Sequence, residues 1–160
     1  AGAGADSQYA HSPHAAGPGV PAHYKTERGG WKMSFCLCTG AVLQCPFGSV
    51  PASFSALPIP RVVINGRPAG VMTDMAPAVN IPPFGMCSSL SNPTVASATA
   101  AALGVLTPMP CVPVPAGPWL NPVPKVSIGV QSAISNDSKL MCAWGGQIAV
   151  QFAGQTSVQL

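Results

Sequence analysis

The sequence carries very little charge. Only 7% of its 160 residues are charged, against about 25% in an average soluble domain. From residue 33 onward the charged side chains are Arg61, Arg67, Asp74, Lys125, Asp137 and Lys139. A surface so poor in charge would be sticky if it stayed bare, so we expect a partner to cover much of it. The net charge of +3 is scattered along the chain rather than striped, which argues against a nucleic-acid partner.

Histidine and glutamate are also missing after residue 33. A cysteine or serine nucleophile there would have no histidine base, and Asp74 and Asp137 lie in turn-like contexts rather than as a catalytic pair. We therefore expect that the protein is not an enzyme. A thiol oxidoreductase that uses Cys36 and Cys38 stays as a third-ranked alternative.

Long hydrophobic runs are absent as well. The longest, Thr94 to Leu106, is shorter than the roughly 20 residues that a membrane-spanning helix needs. The sequence shows no charged-then-apolar signal peptide. We expect the chain to be made and kept in the cytoplasm, at least at first.

The composition divides the chain into two parts. Residues 1–32 hold Gly, Ala, Pro and Ser, a mixed-charge patch and all three histidines, and they show no apolar periodicity. We interpret this part as a flexible extension or an expression remnant, because the spacing of the histidines fits no closed metal site. Residues 33–160 are expected to form one turn-dense, mainly β domain.

A single segment has the pattern of a helix. Asn92 is a good N-cap, Pro93 suits the first helical position, and an alanine-rich run leads to Gly104, a natural C′ residue. We predict one short helix at about 93–103. The prolines on both sides predict extended, stiff arms, one bearing Cys87 and the other Cys111.

Two segments with the same pattern predict β-hairpins. In residues 61–74 a β-branched run meets Asn65-Gly66, a strong hairpin signal, and Val71-Met72 is expected to return. Residues 125–138 repeat this pattern. Short strands are expected at 41–44 and in the tail at 151–160. The repetition suggests pseudo-symmetric packing of hairpins around a common point.

Six cysteines without a signal peptide favour reduced thiols or metal ligands over disulfides. Cys38, Cys87, Cys111 and Cys142 each lie beside a Gly or Pro turn at the end of a predicted hairpin or arm. Four converging thiolates would suit a structural Zn²⁺ site, with iron as a less favoured ion. The alternative is that all are buried free cysteines. Cys36 and Cys45 are the spare pair, and Cys45 is an alternative ligand in place of one of the four.

Several long motifs resemble the PAAR-like spike-tip family of bacterial contractile injection systems. They begin at Cys38 (Cys-Thr-Gly-Ala-Val-Leu-Gln-Cys-Pro-Phe-Gly), at Val79 (Val-Asn-Ile-Pro-Pro-Phe-Gly-Met-Cys), at Ala101 (Ala-Ala-Leu-Gly-Val-Leu-Thr-Pro-Met-Pro-Cys) and at Met141 (Met-Cys-Ala-Trp-Gly-Gly-Gln-Ile). The match covers about residues 35–155. The family's Pro-Ala-Ala-Arg signature survives only as Arg67-Pro68-Ala69-Gly70 and, in the later repeat, as Gln131-Ser132-Ala133-Ile134.

The resemblance implies a small cone of β-hairpins with pseudo-threefold arrangement, whose base caps a trimeric VgrG-type β-helix and whose point holds zinc. In that family the ligands mix histidine and cysteine, one following each repeat. Carried over by position, the ligands in this chain are Cys38, Cys87, Cys111 and Cys142.

The expected function is therefore mechanical: one chain sharpens the spike of a type VI secretion system for membrane puncture and effector delivery. Arg61, Ile64, Arg67 and Val126, on the hairpins, are the predicted contacts with the spike trimer. Effector proteins are further expected partners, and the target membrane is contacted only during puncture. The alternative is a zinc-stabilised adaptor that loads an effector without forming the tip. Either form leaves the cytoplasm when it is secreted or delivered.

Overall fold

A computed structural model describes residues 34–58 and 62–160. The predicted extension at residues 1–32, and Arg61, lie outside the described residues. The described part is mainly β, with one short helix and several small antiparallel hairpins, as the sequence predicts. Its elements are β1 (Val42–Gln44), β2 (Ala52–Ser53), β3 (Val63–Ile64), β4 (Arg67–Pro68), β5 (Met86–Cys87), α1 (Pro93–Ala101), β6 (Met109–Pro110), β7 (Val123–Ile128), β8 (Gln131–Ala133), β9 (Lys139–Met141) and β10 (Gln147–Phe152).

The largest sheet joins the two ends of the domain. It has the order β2-β1-β10-β9, and every pair in it is antiparallel. Leu43 in β1 lies opposite Val150 in β10, and the side chains of Leu43, Leu140 and Ile148 are buried. One face of this sheet therefore packs on the core. Of the strand expected at 151–160, only Gln151 and Phe152 are strand residues, at the end of β10.

The Asn65-Gly66 hairpin is confirmed. Both turn residues have positive φ, 50° and 78°, as a two-residue type I′ turn requires. In a two-residue turn the residues on either side of the turn pair directly with each other. The returning strand is therefore β4 rather than the predicted Val71-Met72. Val71 pairs instead with Ala133, at the end of β8. The two repeated segments thus meet each other directly.

Helix α1 begins where the sequence predicts. The Asn92 side chain accepts a hydrogen bond from the backbone N–H of Thr94 at 3.1 Å, and Pro93 is the first helical residue. Val95 is buried and anchors the helix to the core. No helix of the described residues is long and apolar enough to cross a membrane.

The helix ends at Ala101, two residues before the predicted end. The N–H of Leu103 donates to Ala100 O at 3.1 Å, and the N–H of Gly104 donates to Thr99 O at 2.9 Å. These two bonds form a Schellman motif in which Leu103, with φ of 54°, is the C′ residue. The prediction had placed Gly104 there. The left-handed residue comes one position earlier because the last turn closes on Ala100.

Two groups of buried residues form the core. In the larger group, the rings of Phe54 and Trp119 meet edge to face at 6.0 Å between centroids, and Trp119 Nε1 donates to Asp74 O at 2.9 Å. The smaller group lies between the two repeated hairpins and comprises Cys36, Ile64, Ala69, Val71, Ile128 and Ala133.

Candidate functional site

Four cysteines lie where strands end. Cys45 directly follows β1, Cys87 is the last residue of β5, Cys111 follows β6, and Cys142 follows β9. All four thiols are free and buried within the larger core group. We call these four residues the cysteine cluster. Four distant parts of the chain each contribute one thiol to it.

Strand pairing brings the contributing segments together. β5 pairs with β6, with Cys87 opposite Met109, so the two predicted arms lie side by side. The N–H of Cys111 donates to Gly85 O at 2.7 Å, which fixes the second arm against the first. Gly48, at the end of the turn after β1, forms a bridge with Cys87. The turn that carries Cys45 is thereby attached to the same arms.

A close approach at Gly146 joins Cys142 to the cluster. The N–H of Cys142 donates to Gly146 O at 2.8 Å, closing a tight turn. A methyl group added to Gly146 would lie 2.7 Å from the sulfur of Cys45 and 3.8 Å from Cβ of Cys142. Glycine is therefore needed there, because any larger residue would push the two cysteines apart.

The four thiols act on one another electrostatically. Burial raises the pKa of Cys45, and the neighbouring Cys142 and Cys87 raise it further. Burial also raises the pKa of Cys111, with added contributions from Cys87, Cys45 and Cys142. Like charges raise a pKa only when they lie close together. Cys45 and Cys111 therefore each have Cys87 and Cys142 as neighbours.

Backbone N–H groups point at two of these sulfurs. The N–H groups of Phe47 and Gly48 oppose the rise in the pKa of Cys45, and the backbone of Phe84 does the same for Cys111. A hydrogen bond donated to sulfur favours the thiolate over the thiol. Thiolates are the form that binds metals, so these N–H groups would support a bound ion, although burial raises the pKa of both thiols overall.

Cys38 lies elsewhere, beside Cys36. Both are buried, and their sulfurs face backbone carbonyls: Cys38 Sγ lies 3.6 Å from Ala153 O, and Cys36 Sγ lies 3.8 Å from Leu37 O. Burial and the nearby Cys38 raise the pKa of Cys36 to about 11. Burial raises the pKa of Cys38, which the Arg67 guanidinium partly opposes. The structure thus brings Cys87, Cys111 and Cys142 to Cys45, and not to Cys38.

A second feature is an apolar cavity of about 350 Å³ between the repeated hairpins. Ile64 and Val126, two of the predicted spike contacts, both line it. Ile64 is buried and Val126 is half-buried, so they form its wall rather than a free surface. The other apolar residues of its lining include Val62, Val63, Ile128, Val158 and Leu160.

The two predicted arginine contacts have different outcomes. Arg67 is exposed, and its Nη1 donates to Gly154 O at 2.9 Å, which holds β4 against the loop after β10. Arg61 lies outside the described residues. Its predicted contact with a partner stays a prediction.

The family of the chain follows from its sequence. A family model described as "Domain of unknown function (DUF4280)" matches residues 37–155. The chain belongs to this family. The match includes every member of the cysteine cluster and stops short of Cys36. Comparison with curated proteins and with solved structures found no match.

The cysteine cluster of this DUF4280 chain has the ligand chemistry of a metal site but not, in this structure, the arrangement of one. In residues 34–58 and 62–160, no group of three or more His, Cys, Asp or Glu side chains is arranged so that it could hold an ion. The chemistry of the cluster nevertheless fits Zn²⁺: four buried thiols on separate turns, two of them facing backbone N–H groups.

Spacing in the sequence could not separate Cys45 from Cys38, since both lie close to β1. A signal was present in the turn Cys45-Pro46-Phe47-Gly48. Pro46 and Gly48 bend the chain so that the N–H groups of Phe47 and Gly48 act on the cysteine sulfur. Around Cys38, the Thr39-Gly40 turn instead leads into β1, and the thiol packs inward.

Proposed function

We propose that this protein is the tip of a contractile injection spike of the type VI secretion kind, and that one chain caps a VgrG-type trimer. The observation that supports the proposal is the cysteine cluster, in which four turns far apart in sequence deliver thiols to one buried place. The resemblance of these same motifs to the PAAR-like family supports it too. In this proposal the chain waits in the cytoplasm and leaves with the spike.

In this proposal Cys45, Cys87, Cys111 and Cys142 hold a structural Zn²⁺, and iron is the less favoured ion. A zinc bound by four thiolates would cross-link four segments and so stabilise a domain whose strands are mostly two or three residues long. Cys45 replaces Cys38 in the ligand set that the sequence suggested. Rigidity is what a tip needs, because it must transmit force without unfolding.

The apolar cavity is the proposed contact with the spike. Within the described residues, β3 pairs only with β4 and β7 only with β8, so both cavity-lining strands keep an outer edge. Unpaired strand edges beside an apolar groove accept strands or apolar side chains from a partner. Ile64 and Val126 would contact such a partner through the groove.

Copurification tests this function. The full chain should bind a VgrG-type trimer at one chain per three protomers, and Val126→Asp should weaken binding at least about tenfold because a charge in an apolar contact is costly. Ser97→Asp, on the exposed face of α1, is the matched control and should bind normally. Binding to an effector alone, with none to the trimer, would favour the adaptor function instead.

A further inference from the structure

A long stretch of the domain has no charge. Between Asp74 and Lys125 the sequence contains no Asp, Glu, Lys, Arg or His. Exposed aliphatic side chains concentrate in this stretch, above all in the loop after α1, where Leu103, Val105 and Leu106 are 96%, 68% and 50% exposed. We call residues 103–106 the aliphatic loop. A single exposed aliphatic side chain is ordinary on a protein surface, but three exposed aliphatic side chains within four residues are unusual.

Folding of the domain does not account for a leucine at position 103. It is the C′ residue of α1 and has a φ of 54°, a conformation that glycine or asparagine adopts with less strain. Its side chain is 96% exposed, so it adds almost nothing to the core. Neither the backbone nor the packing of the domain explains a leucine at this position. A contact outside the chain would explain it.

Half of the backbone polar groups of the aliphatic loop, the N–H groups of residues 103–105 and the carbonyl of Val105, have partners within the described residues. The N–H of Val105 donates to Ala102 O at 3.1 Å, and the N–H of Thr107 donates to Thr99 Oγ1 at 3.1 Å. Thr107 Oγ1 in turn donates to Val105 O at 2.9 Å, and the N–H groups of residues 103 and 104 complete the Schellman motif. Irregular backbone can enter hydrocarbon only when its polar groups find partners inside the protein. This loop meets that condition in part, so its side chains can enter the acyl region while its remaining backbone groups stay at the hydrated surface of the bilayer.

We propose that the aliphatic loop inserts its side chains into the acyl region of a lipid bilayer, without any need for anionic headgroups. The lack of charge fits hydrocarbon, where a charged side chain is strongly disfavoured. A protein partner fits less well, because the loop has none of the tyrosine, tryptophan or arginine side chains that anchor protein interfaces. The inference deepens the proposed function, since it names the part of the tip that meets the target membrane.

Vesicle flotation with the full chain tests this inference. The wild type should float with phosphatidylcholine vesicles, and adding phosphatidylglycerol should change the bound fraction little. The double variant Leu103→Asn, Leu106→Asn should bind at least about tenfold more weakly, because two leucines no longer leave water. Val130→Asn is the matched control: Val130 is 95% exposed but lies in the β7–β8 turn, outside the uncharged stretch. It should bind like the wild type.

A thermal melt separates lipid contact from folding. Leu103→Asn should leave Tm unchanged or raise it, since asparagine tolerates this φ better than leucine. A wild type that does not float, that floats only with anionic vesicles, or that binds no better than the double variant would overturn the inference. A lower Tm for Leu103→Asn would do so too, because the leucine would then serve the fold. Binding of the double variant to a VgrG-type trimer should stay normal, so the two proposals can fail separately.

Discussion

The two groups of buried cysteines face their surroundings in opposite ways. In the cysteine cluster, backbone N–H groups act on the sulfurs of Cys45 and Cys111. In the other pair, the sulfurs of Cys36 and Cys38 face carbonyl oxygens. In the first arrangement the N–H groups oppose the rise in pKa that burial causes, whereas in the second the sulfur donates to a carbonyl, which only a protonated thiol can do. Burial is common to both, so the direction of the hydrogen bonds, not burial, distinguishes a prospective ligand from a packed cysteine.

The two groups also differ in how the chain builds them. The cluster gathers thiols from four strand ends, so an ion held there would close long loops and constrain the unfolded chain. Cys36 and Cys38 are two residues apart on one segment, and an ion between them would close almost nothing. Stability should therefore depend on the cluster far more than on the pair. The predictions below test this difference, from the largest expected effect to the smallest.

Metal removal should have the largest effect. With a reductant present, a zinc chelator should lower the free energy of unfolding of the purified protein by roughly 4 kcal/mol or more, since a structural metal contributes directly to folding. Guanidinium denaturation with and without chelator measures this. Cys38→Ser should respond to the chelator as the wild type does, whereas Cys45→Ser should not respond at all. If the chelator does not change the unfolding midpoint of the wild type, the four cysteines are packed core residues and not metal ligands.

Gly146→Ala should break the cluster by crowding. The new methyl group would lie 2.7 Å from the Cys45 sulfur, so the turn at Cys142 must shift away, at a cost of about 2 kcal/mol. Chemical denaturation and zinc content should both report the change. Gly117→Ala is the matched control, because no atom lies within 4 Å of its added methyl and it needs no positive φ. Equal stability of the two variants would mean that the cysteine cluster does not depend on glycine at position 146.

Alkaline pH should act on the other pair. The pKa of Cys36 is raised from 9.0 to about 11, so the folded state holds this proton more tightly than the unfolded state does. The resulting stabilisation is complete below pH 9 and is lost as pH rises toward 11, by roughly 2 kcal/mol in all. Denaturation curves across this range should show the loss, and Cys36→Ala should flatten it. If Cys36→Ala loses stability with pH as the wild type does, other groups cause the loss.

Local signals in the sequence predicted the local structure well. Asn65-Gly66 specified its turn because positive φ at both positions leaves few other conformations. Asn92 and Pro93 specified the start of α1 because the cap and the first turn of a helix are neighbours in the chain. The end of α1 was placed too late because a leucine took the left-handed position that chemistry assigns to glycine.

Long-range contacts could not be predicted in this way. The pairing of β1 with β10 joins residues more than a hundred positions apart. The sequence pattern of either strand does not indicate which strand it pairs with. The choice between Cys38 and Cys45 depends on that same packing. The sequence therefore predicted that thiols would gather, but it placed Cys38 with Cys87, Cys111 and Cys142 and kept Cys45 only as the alternative.

Elemental analysis of purified wild type, Cys45→Ser and Cys38→Ser tests the central claim most directly. If the cluster of Cys45, Cys87, Cys111 and Cys142 pins the domain, the wild type and Cys38→Ser should each carry one zinc per chain, and Cys45→Ser should carry none. Zinc that survives in Cys45→Ser but vanishes in Cys38→Ser, or a wild type that binds no metal, would contradict the account.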